Sequence, residues 1–262
     1  MPFICEKPFW VRRAPLERVP VFPNVPAGLV NGRSIADGYA RGWGLQYGNL
    51  RQRILGDPLY IEAVRLARGR TVQEVDRRAN LFLLLKFYVR NLPVGDIIEF
   101  GSFRGGSALF MAKICLELGL KSQVWALDTF AGMPTSDKTV DAHGAGDFKE
   151  TNLEDLKAYA AKYGLNNLHW IQGLFEDTSE GVLENSRKIM VAHIDCDIRS
   201  AVRYSYNIVK RRMVDGGYIV FDDATTSSCL GATEVVENDV IRVDGLNCEQ
   251  IYPHFVFRCW DT

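Results

Sequence analysis

Short apolar runs alternate with stretches of helical periodicity along most of this chain. The runs at residues 97–100, 124–127, 168–171, 190–194 and 218–221 are too continuous for half-exposed strands. They predict strands covered on both faces. Between them, residues 107–118, 153–163 and 201–213 carry apolar positions three and four apart, with Gly119 and Gly164 closing the first two stretches and Gly216-Gly217 following the third. These are helices with glycine stops. Upstream, Thr71-Val-Gln-Glu74 has the form of a capping box and predicts a buried helix over residues 71–90, ending before Pro93. Residues 250–260 predict two further strands that meet near Pro253 and His254. The rhythm is βαβ, so the expected core is an α/β, Rossmann-like sheet, mostly parallel with an antiparallel C-terminal strand. Helices cover both faces, and the site lies at the carboxyl ends of the strands.

The first 65 residues follow no such rhythm. Seven of the ten prolines lie at or before Pro58, among clusters such as Tyr39-Ala-Arg-Gly-Trp-Gly-Leu-Gln-Tyr47. Phe9, Trp10, Phe22, Tyr39, Trp43 and Tyr47 are too many aromatics for solvent, which predicts an irregular, partly helical extension that packs on the core as a lid or contact surface. The expected division is therefore an extension over 1–65 and a catalytic domain over 66–262.

Composition narrows the function. Thirty-one Lys and Arg balance 32 Asp and Glu, for a net charge of −1, which leaves no basic field for a nucleic-acid backbone. No apolar run approaches the ~20 residues of a membrane helix, and the N-terminus lacks a secretory pattern, so a cytoplasmic protein is expected. The six cysteines form no C-x-x-C pair and no zinc spacing, and read as reduced packing residues.

Candidate chemistry begins where the first strand ends. Glu99-Phe-Gly-Ser-Phe-Arg-Gly-Gly-Ser107 leads from a strand through a turn into a helix. Gly101 permits a tight exit, and Gly105 and Gly106 are expected to let a ligand approach the helix N-terminus. Phe103 stands where a dinucleotide fingerprint needs its second glycine, and there is no Walker Gly-Lys-Ser/Thr. An acid two residues before the first glycine suits a cationic ligand better than a pyrophosphate. Asp128 closes the second strand, where a carboxylate can accept from two ribose hydroxyls.

A second constellation closes the fourth and fifth strands. His193-Ile-Asp-Cys-Asp197 and Phe221-Asp-Asp223 end side by side in a parallel sheet, so Asp195, Asp222 and Asp223 can converge on one ion. Carboxylates held together need a cation, and oxygen-only donors with open positions suit magnesium. Asp197 shares a face with Asp195 and is the candidate base for deprotonating a hydroxyl. Strand alternation turns Cys196 away, and His193 lies one pleat deeper, so both read as structural.

From these residues the chain resembles the macrocin O-methyltransferases of the TylF type. The resemblance spans about residues 70–258 and rests on the two constellations above together with Asp128-Thr-Phe-Ala-Gly-Met-Pro134, Gly173-Leu-Phe-Glu-Asp-Thr178 and Gly231-Ala-Thr-Glu-Val-Val236. It implies a class I methyltransferase fold, with S-adenosylmethionine held by Glu99, Gly101, Ser107 and Asp128 and its adenine near Phe175 and Glu176. It places Mg²⁺ on Asp195, Asp222 and Asp223, with Asp197 as base and vicinal hydroxyls of a glycosylated natural product as acceptor. It also implies a lid over residues 135–149 that orders on binding, with His143 inside it. The family usually follows its Asp-x-Asp with Leu-Tyr-Glu, whereas this chain has Ile198-Arg-Ser-Ala-Val202, so the acceptor is expected to differ.

The leading reading is methyl transfer to a sugar hydroxyl of a small-molecule glycoside. A catechol-like phenolic acceptor uses the same metal logic. A nicotinamide-dependent oxidoreductase and a non-catalytic scaffold are the competitors from other classes; Phe103 and the intact acids, respectively, disfavour them. A symmetric homo-oligomer is the general expectation.

Overall fold

The computed structural model describes residues 50–259, together with the antiparallel two-residue strands Leu29–Val30 and Arg33–Ser34. The six aromatics singled out between Phe9 and Tyr47 lie outside the described residues.

A seven-stranded sheet forms the core. Its strands are β1 (Asp96–Phe100), β2 (Val124–Asp128), β3 (Leu168–Gln172), β4 (Ile189–Ile194), β5 (Met213–Phe221), β6 (Cys248–Gln250) and β7 (Phe255–Cys259). They lie in the order β3-β2-β1-β4-β5-β7-β6, parallel from β3 to β5, with β7 antiparallel to both β5 and β6. The order reverses at β1, so β1 and β4 diverge into connections on opposite sides and leave a crevice above their carboxyl ends. All five residues of β1 are buried, as a central parallel strand requires.

The helices are α1 (Leu50–Leu55), α2 (Pro58–Ala67), α3 (Val75–Leu83), α4 (Gly106–Glu117), α5 (Leu153–Lys162), α6 (Phe175–Asn185), α7 (Arg199–Val209) and α8 (Leu230–Val235). Strand alternation divides the core in two. Ile97, Val124, Ala126 and Val191 face the layer of α2, α3, α4 and α5, whereas Ile98, Phe100, Leu127 and Ala192 face α6, α7 and α8. Helix α2 begins on Pro58 with Asp57 as its cap, accepting from the Leu59 amide at 3.0 Å, and buries Tyr60, Ala63, Leu66 and Ala67 in the first layer.

Each strand expected from the apolar runs is present, within a residue at most boundaries, and β6 and β7 meet where the two C-terminal strands were expected. Strand β5 starts earlier than expected, at Met213, because three extra residues are absorbed in an irregular pairing between Ile189 and Val191 of β4. The helix expected over 71–90 begins at Val75, and its second half widens into a π-helical turn over Leu84–Tyr88. Thr71 does not cap it. Its Oγ1 accepts from the Gln73 amide at 3.0 Å within a local turn, while the Arg70 carbonyl accepts from Gly106 N at 3.0 Å. Pairing across to the glycine loop outweighs the local cap and keeps residues 70–74 out of the helix. Helix α6 was not expected. Its sequence, FEDTSEGVLEN, buries only Ser179, Val182 and Leu183, too narrow a stripe to show as periodicity.

Candidate functional site

A cavity of about 330 Å³ opens above the carboxyl ends of β1, β2, β4 and β5. Two groups of residues make its floor.

The first is the loop between β1 and α4. Gly101 leaves β1 at φ +89°, and a Cβ there would lie 1.8 Å from the Asp195 carbonyl oxygen. Only glycine fits, because the ends of β1 and β4 touch at this point. Gly105 and Gly106 were expected to admit a ligand, but a Cβ would meet the Trp170 ring at 2.4 Å and the Arg70 carbonyl oxygen at 2.6 Å. These two glycines make room for the protein's own side chain and backbone. Asp128, the last residue of β2, organises the loop: its Oδ2 accepts from Ser102 N and Phe103 N, both at 2.8 Å, and its Oδ1 from Phe130 N at 2.7 Å. Asp128, Gly101, Ser107, Phe175 and Glu176 all line the cavity. Phe175 is held edge-on against Phe100, ring centres 5.3 Å apart. Glu99 does not line it. Fully buried beneath the floor, it accepts from Ser102 Oγ at 2.8 Å and from His193 Nδ1 at 3.0 Å.

The second group is acidic. Asp195 and Asp197 follow β4, Asp222 and Asp223 follow β5, and carboxylate oxygens of Asp195, Asp222 and Asp223 lie within 4.8 Å of one another. Asp197 adopts φ +58°, a left-handed conformation that aspartate tolerates better than most residues, and its amide donates to Asp223 Oδ2 at 2.9 Å. The non-glycine residues with positive φ among the described residues are Phe103, Phe130, Phe148 and Asp197, and three of these line the cavity. Backbone strain is concentrated at the site.

His193 supports the acidic group from one pleat below, and Gln73, Arg77 and His254, for which no role was expected here, complete it. Asp222 Oδ1 accepts from Gln73 Nε2 at 2.9 Å, His193 Nε2 at 3.3 Å and His254 Nδ1 at 3.2 Å, while Arg77 Nη1 donates to Oδ2 and stands 3.9 Å from Asp223 Oδ1. Gln73 also reaches Asp195 Oδ2 at 3.3 Å. The state of each histidine follows from its partners. His193 faces a carboxylate with both ring nitrogens; burial opposes its charge, but Asp222 and Glu99 outweigh burial and raise its pKa well above the ordinary value. Gln250 Nε2 donates to Asn80 Oδ1 at 3.0 Å, which turns Asn80 Nδ2 toward His254 Nε2 at 2.6 Å. That nitrogen accepts, so the His254 proton sits on Nδ1 and points at Asp222; burial lowers this ring's pKa and keeps it neutral. For Gln73 and His254 the sequence signals were a capping pattern over residues 71–74 and a strand junction, and for Arg77 there was none.

Charge separates the four aspartates. Burial raises Asp195 and Asp223 well above the usual carboxylate range, and repulsion from neighbouring aspartates adds to it. Burial also raises Asp197, partly offset by His143 and by the Cys229 thiol, which donates to Asp197 Oδ1 at 3.5 Å. Asp222 is held below the usual range, because bonds from His193 and His254 outweigh its burial. Cys196 is buried, with its thiol pushed well up by desolvation, which makes it a packing residue.

The segment after Met133-Pro134 roofs the acidic side. His143 Nε2 lies 4.0 Å from Asp197 Oδ1 and its Nδ1 3.6 Å from Asp147 Oδ2. The roof is pinned down: Asp141 bridges to Cys229, Ala142 N donates to the Ser228 carbonyl at 3.1 Å, and Arg199 N donates to both Asp141 oxygens. The Arg199 side chain bonds Asp137 and, at 3.0 Å, Glu234. At Gly231 a Cβ would lie 2.2 Å from Asp141 Oδ1, so this clasp needs a glycine. Arg199 thus stands in the stretch that departs from the family pattern and ties the roof to α7 and α8.

Among the described residues no helix is long and apolar enough to cross a membrane. The chain is 28% identical over 172 residues to the 8-demethyl-8-(2,3-dimethoxy-alpha-L-rhamnosyl)-tetracenomycin-C 4'-O-methyltransferase of Streptomyces olivaceus, a match covering 62% of this chain and 65% of that enzyme. It therefore spans just under two thirds of that relative's length. It is 23% identical over 192 residues to the mycinamicin III 3''-O-methyltransferase of Micromonospora griseorubida, covering 66% of this chain and 75% of that one. The structure of the O-methyltransferase NovP superposes with a TM-score of 0.61 at 19% identity, over 81% of this chain and 95% of that chain, which establishes a shared fold. The sequence model of the macrocin-O-methyltransferase (TylF) family matches residues 71–245, more than half of the 262 residues and the stretch from Thr71 that contains both groups of the cavity floor; the chain belongs to that family.

Proposed function

We propose that this protein is a methyltransferase that moves a methyl group from S-adenosylmethionine to a sugar hydroxyl of a glycosylated small molecule, assisted by Mg²⁺. One observation carries the reading: Asp195, Asp222 and Asp223 converge beside Asp197 in the same cavity as the β1–α4 loop and Asp128. A place for a nucleoside-type cofactor and a place for a divalent cation share one space.

The residues fit both groups. The donor set of Asp195, Asp222 and Asp223 is all oxygen, which selects Mg²⁺ over zinc, and a cation among them relieves the crowding that raises Asp195 and Asp223. Bound there, Mg²⁺ supplies Lewis acidity toward a hydroxyl that is a poor nucleophile near neutral pH. S-adenosylmethionine supplies a methyl group on a sulfonium, transferred as the C–S bond breaks and a C–O bond forms. Asp128, Gly101 and Ser107 hold the cofactor, Phe175 and Glu176 flank its adenine, and Glu99 steadies the loop from beneath through Ser102. Asp197 takes the hydroxyl proton; its raised pKa brings it nearer to working pH and makes it a better base than an exposed aspartate. The roof carrying His143 excludes water from that step. The named relatives support a sugar acceptor, since the name of the tetracenomycin enzyme gives a rhamnosyl-bearing substrate methylated at 4'-O and that of the mycinamicin enzyme a 3''-O position.

The test is calorimetric titration of S-adenosylhomocysteine, followed by a MgCl₂-dependent methylation assay on deoxysugar glycosides and on catechols. One-site binding and Mg²⁺-dependent methylation of glycosides are expected. Folded, ligand-free protein that does not bind S-adenosylhomocysteine would overturn the cofactor assignment, and a preference for catechols would overturn the acceptor class.

A further inference from the structure

The acids of the cavity floor are already bonded by the protein itself, and one of the bonding groups is oriented against its own chemistry. Asp222 Oδ1 takes three donors, Gln73, His193 and His254, more than its two lone pairs, and Oδ2 takes the Arg77 guanidinium. A divalent cation can reach Oδ1 only if one of its three donors leaves, and at Oδ2 it meets the positive charge of Arg77. His193 is fully buried between Glu99 and Asp222, and His254 is fixed by Asn80, so neither can go. Gln73 and Arg77 can. Both line the cavity, Gln73 lies on the extended stretch before α3, and Arg77 stands in the first turn of that helix.

Gln73 adds a second, independent sign. It is 8% exposed, and its Oε1 is buried with no hydrogen-bond partner, while its Nε2 faces Asp195 and Asp222. An orphaned buried amide oxygen is costly, and carbonyl oxygens suit magnesium as well as carboxylates do. The amide group has two faces of opposite polarity. Without a cation, the two carboxylates favour the NH₂ face, even though that face also lies 3.2 Å from His193 Nε2. With a cation among them, the preference reverses, and Oε1 gains a partner when the amide turns over.

We propose, on the Mg²⁺-assisted reading above, that Gln73 is a further oxygen ligand of the divalent cation and that Arg77 is a resident counter-cation displaced from Asp222 when the cation binds. Loading the site then exchanges one cation for another and turns one amide. Because residues 70–74 pair with the glycine loop through Arg70 and Gly106, the exchange also adjusts the wall of the cofactor cavity.

The test is calorimetric titration of MgCl₂ into the full-length protein loaded with S-adenosylhomocysteine, comparing wild type with Gln73→Met, Gln73→Glu and Arg77→Met. Gln73→Met should weaken Mg²⁺ binding roughly tenfold, the usual size for a lost oxygen ligand or its support. Gln73→Glu should bind at least as tightly as wild type, and Arg77→Met several-fold more tightly. Unchanged affinity in Gln73→Met, or weaker binding in Arg77→Met, overturns the exchange. If Gln73→Met does not fold, Gln73→Glu decides, because weakened binding in that variant removes Gln73 as a ligand. A wild type that binds S-adenosylhomocysteine but no Mg²⁺ ends this proposal and the metal assignment together while leaving the cofactor assignment standing.

Discussion

Asp128 and Asp222 occupy matching places, one closing β2 and the other directly following β5, yet the fold treats them in opposite ways. Asp128 is completed by backbone amides from its own turn and the adjacent glycine loop. Asp222 is completed by side chains from the start of α3, from β4 and from the β6–β7 junction, with three more aspartates crowded around it. The difference separates a half-site finished by local structure from one that is finished only by distant residues. The first half can hold its shape without a ligand, and the second holds shape only under electrostatic load.

The largest expected effect falls on the loaded half. Asp197→Asn should lower turnover by roughly 10²–10⁴ while S-adenosylhomocysteine affinity stays near wild type, which single-turnover kinetics and calorimetry resolve. A retained rate would remove Asp197 as base. The next effect contrasts the two halves in stability. Asp128→Ala leaves three backbone amides without their acceptor and should cost about 2 kcal/mol in ligand-free protein. Asp195→Asn removes one of the crowded charges and should raise the Tm of the Mg²⁺-free protein; the same sign of change in both variants would break the comparison.

Those opposite outcomes depend on which features of the site a sequence can display. The apolar strands are visible as runs, and acids at strand ends are visible because parallel strands put their carboxyl ends together; Asp195, Asp197, Asp222 and Asp223 meet on that basis. Gln73, Arg77 and His254 were not legible, because each reaches Asp222 through the packing of a different element. The local signal at Thr71 even pointed elsewhere, toward a cap that long-range pairing replaces. Helix α6 stayed hidden because three buried residues in eleven leave little pattern.

A pH series sharpens the contrast further. Asp195 and Asp223 have raised values in the folded state, so folding takes up protons there, and their contribution is fully present below the unfolded aspartate value of about 3.9. It is lost as pH rises through the raised values. Asp222, held low, acts in the reverse direction, adding stability above about 3.9 and losing it on acidification. The difference in Tm between Asp195→Asn and wild type, without Mg²⁺, should therefore grow from acidic to neutral pH, and MgCl₂ should reduce it. A difference independent of pH would show that repulsion is not what loads this half. The smallest effect belongs to the roof: Arg199→Gln should speed hydrogen exchange and proteolysis within residues 137–143 with little change in Tm, since its ion pairs to Asp137 and Glu234 are solvent-accessible.

The reach of His254 into the floor has a consequence for biosynthesis. Glu99, Asp195, Asp197, Asp222 and Asp223 are all translated before residue 254, and β7, which follows it, is the strand that covers the free edge of β5. A nascent chain stalled short of β7 carries a negatively charged floor with one donor absent, beside an unpaired strand edge. Such an intermediate is a substrate for chaperones and for strand-mediated association, and the final hairpin is the step that releases it from both.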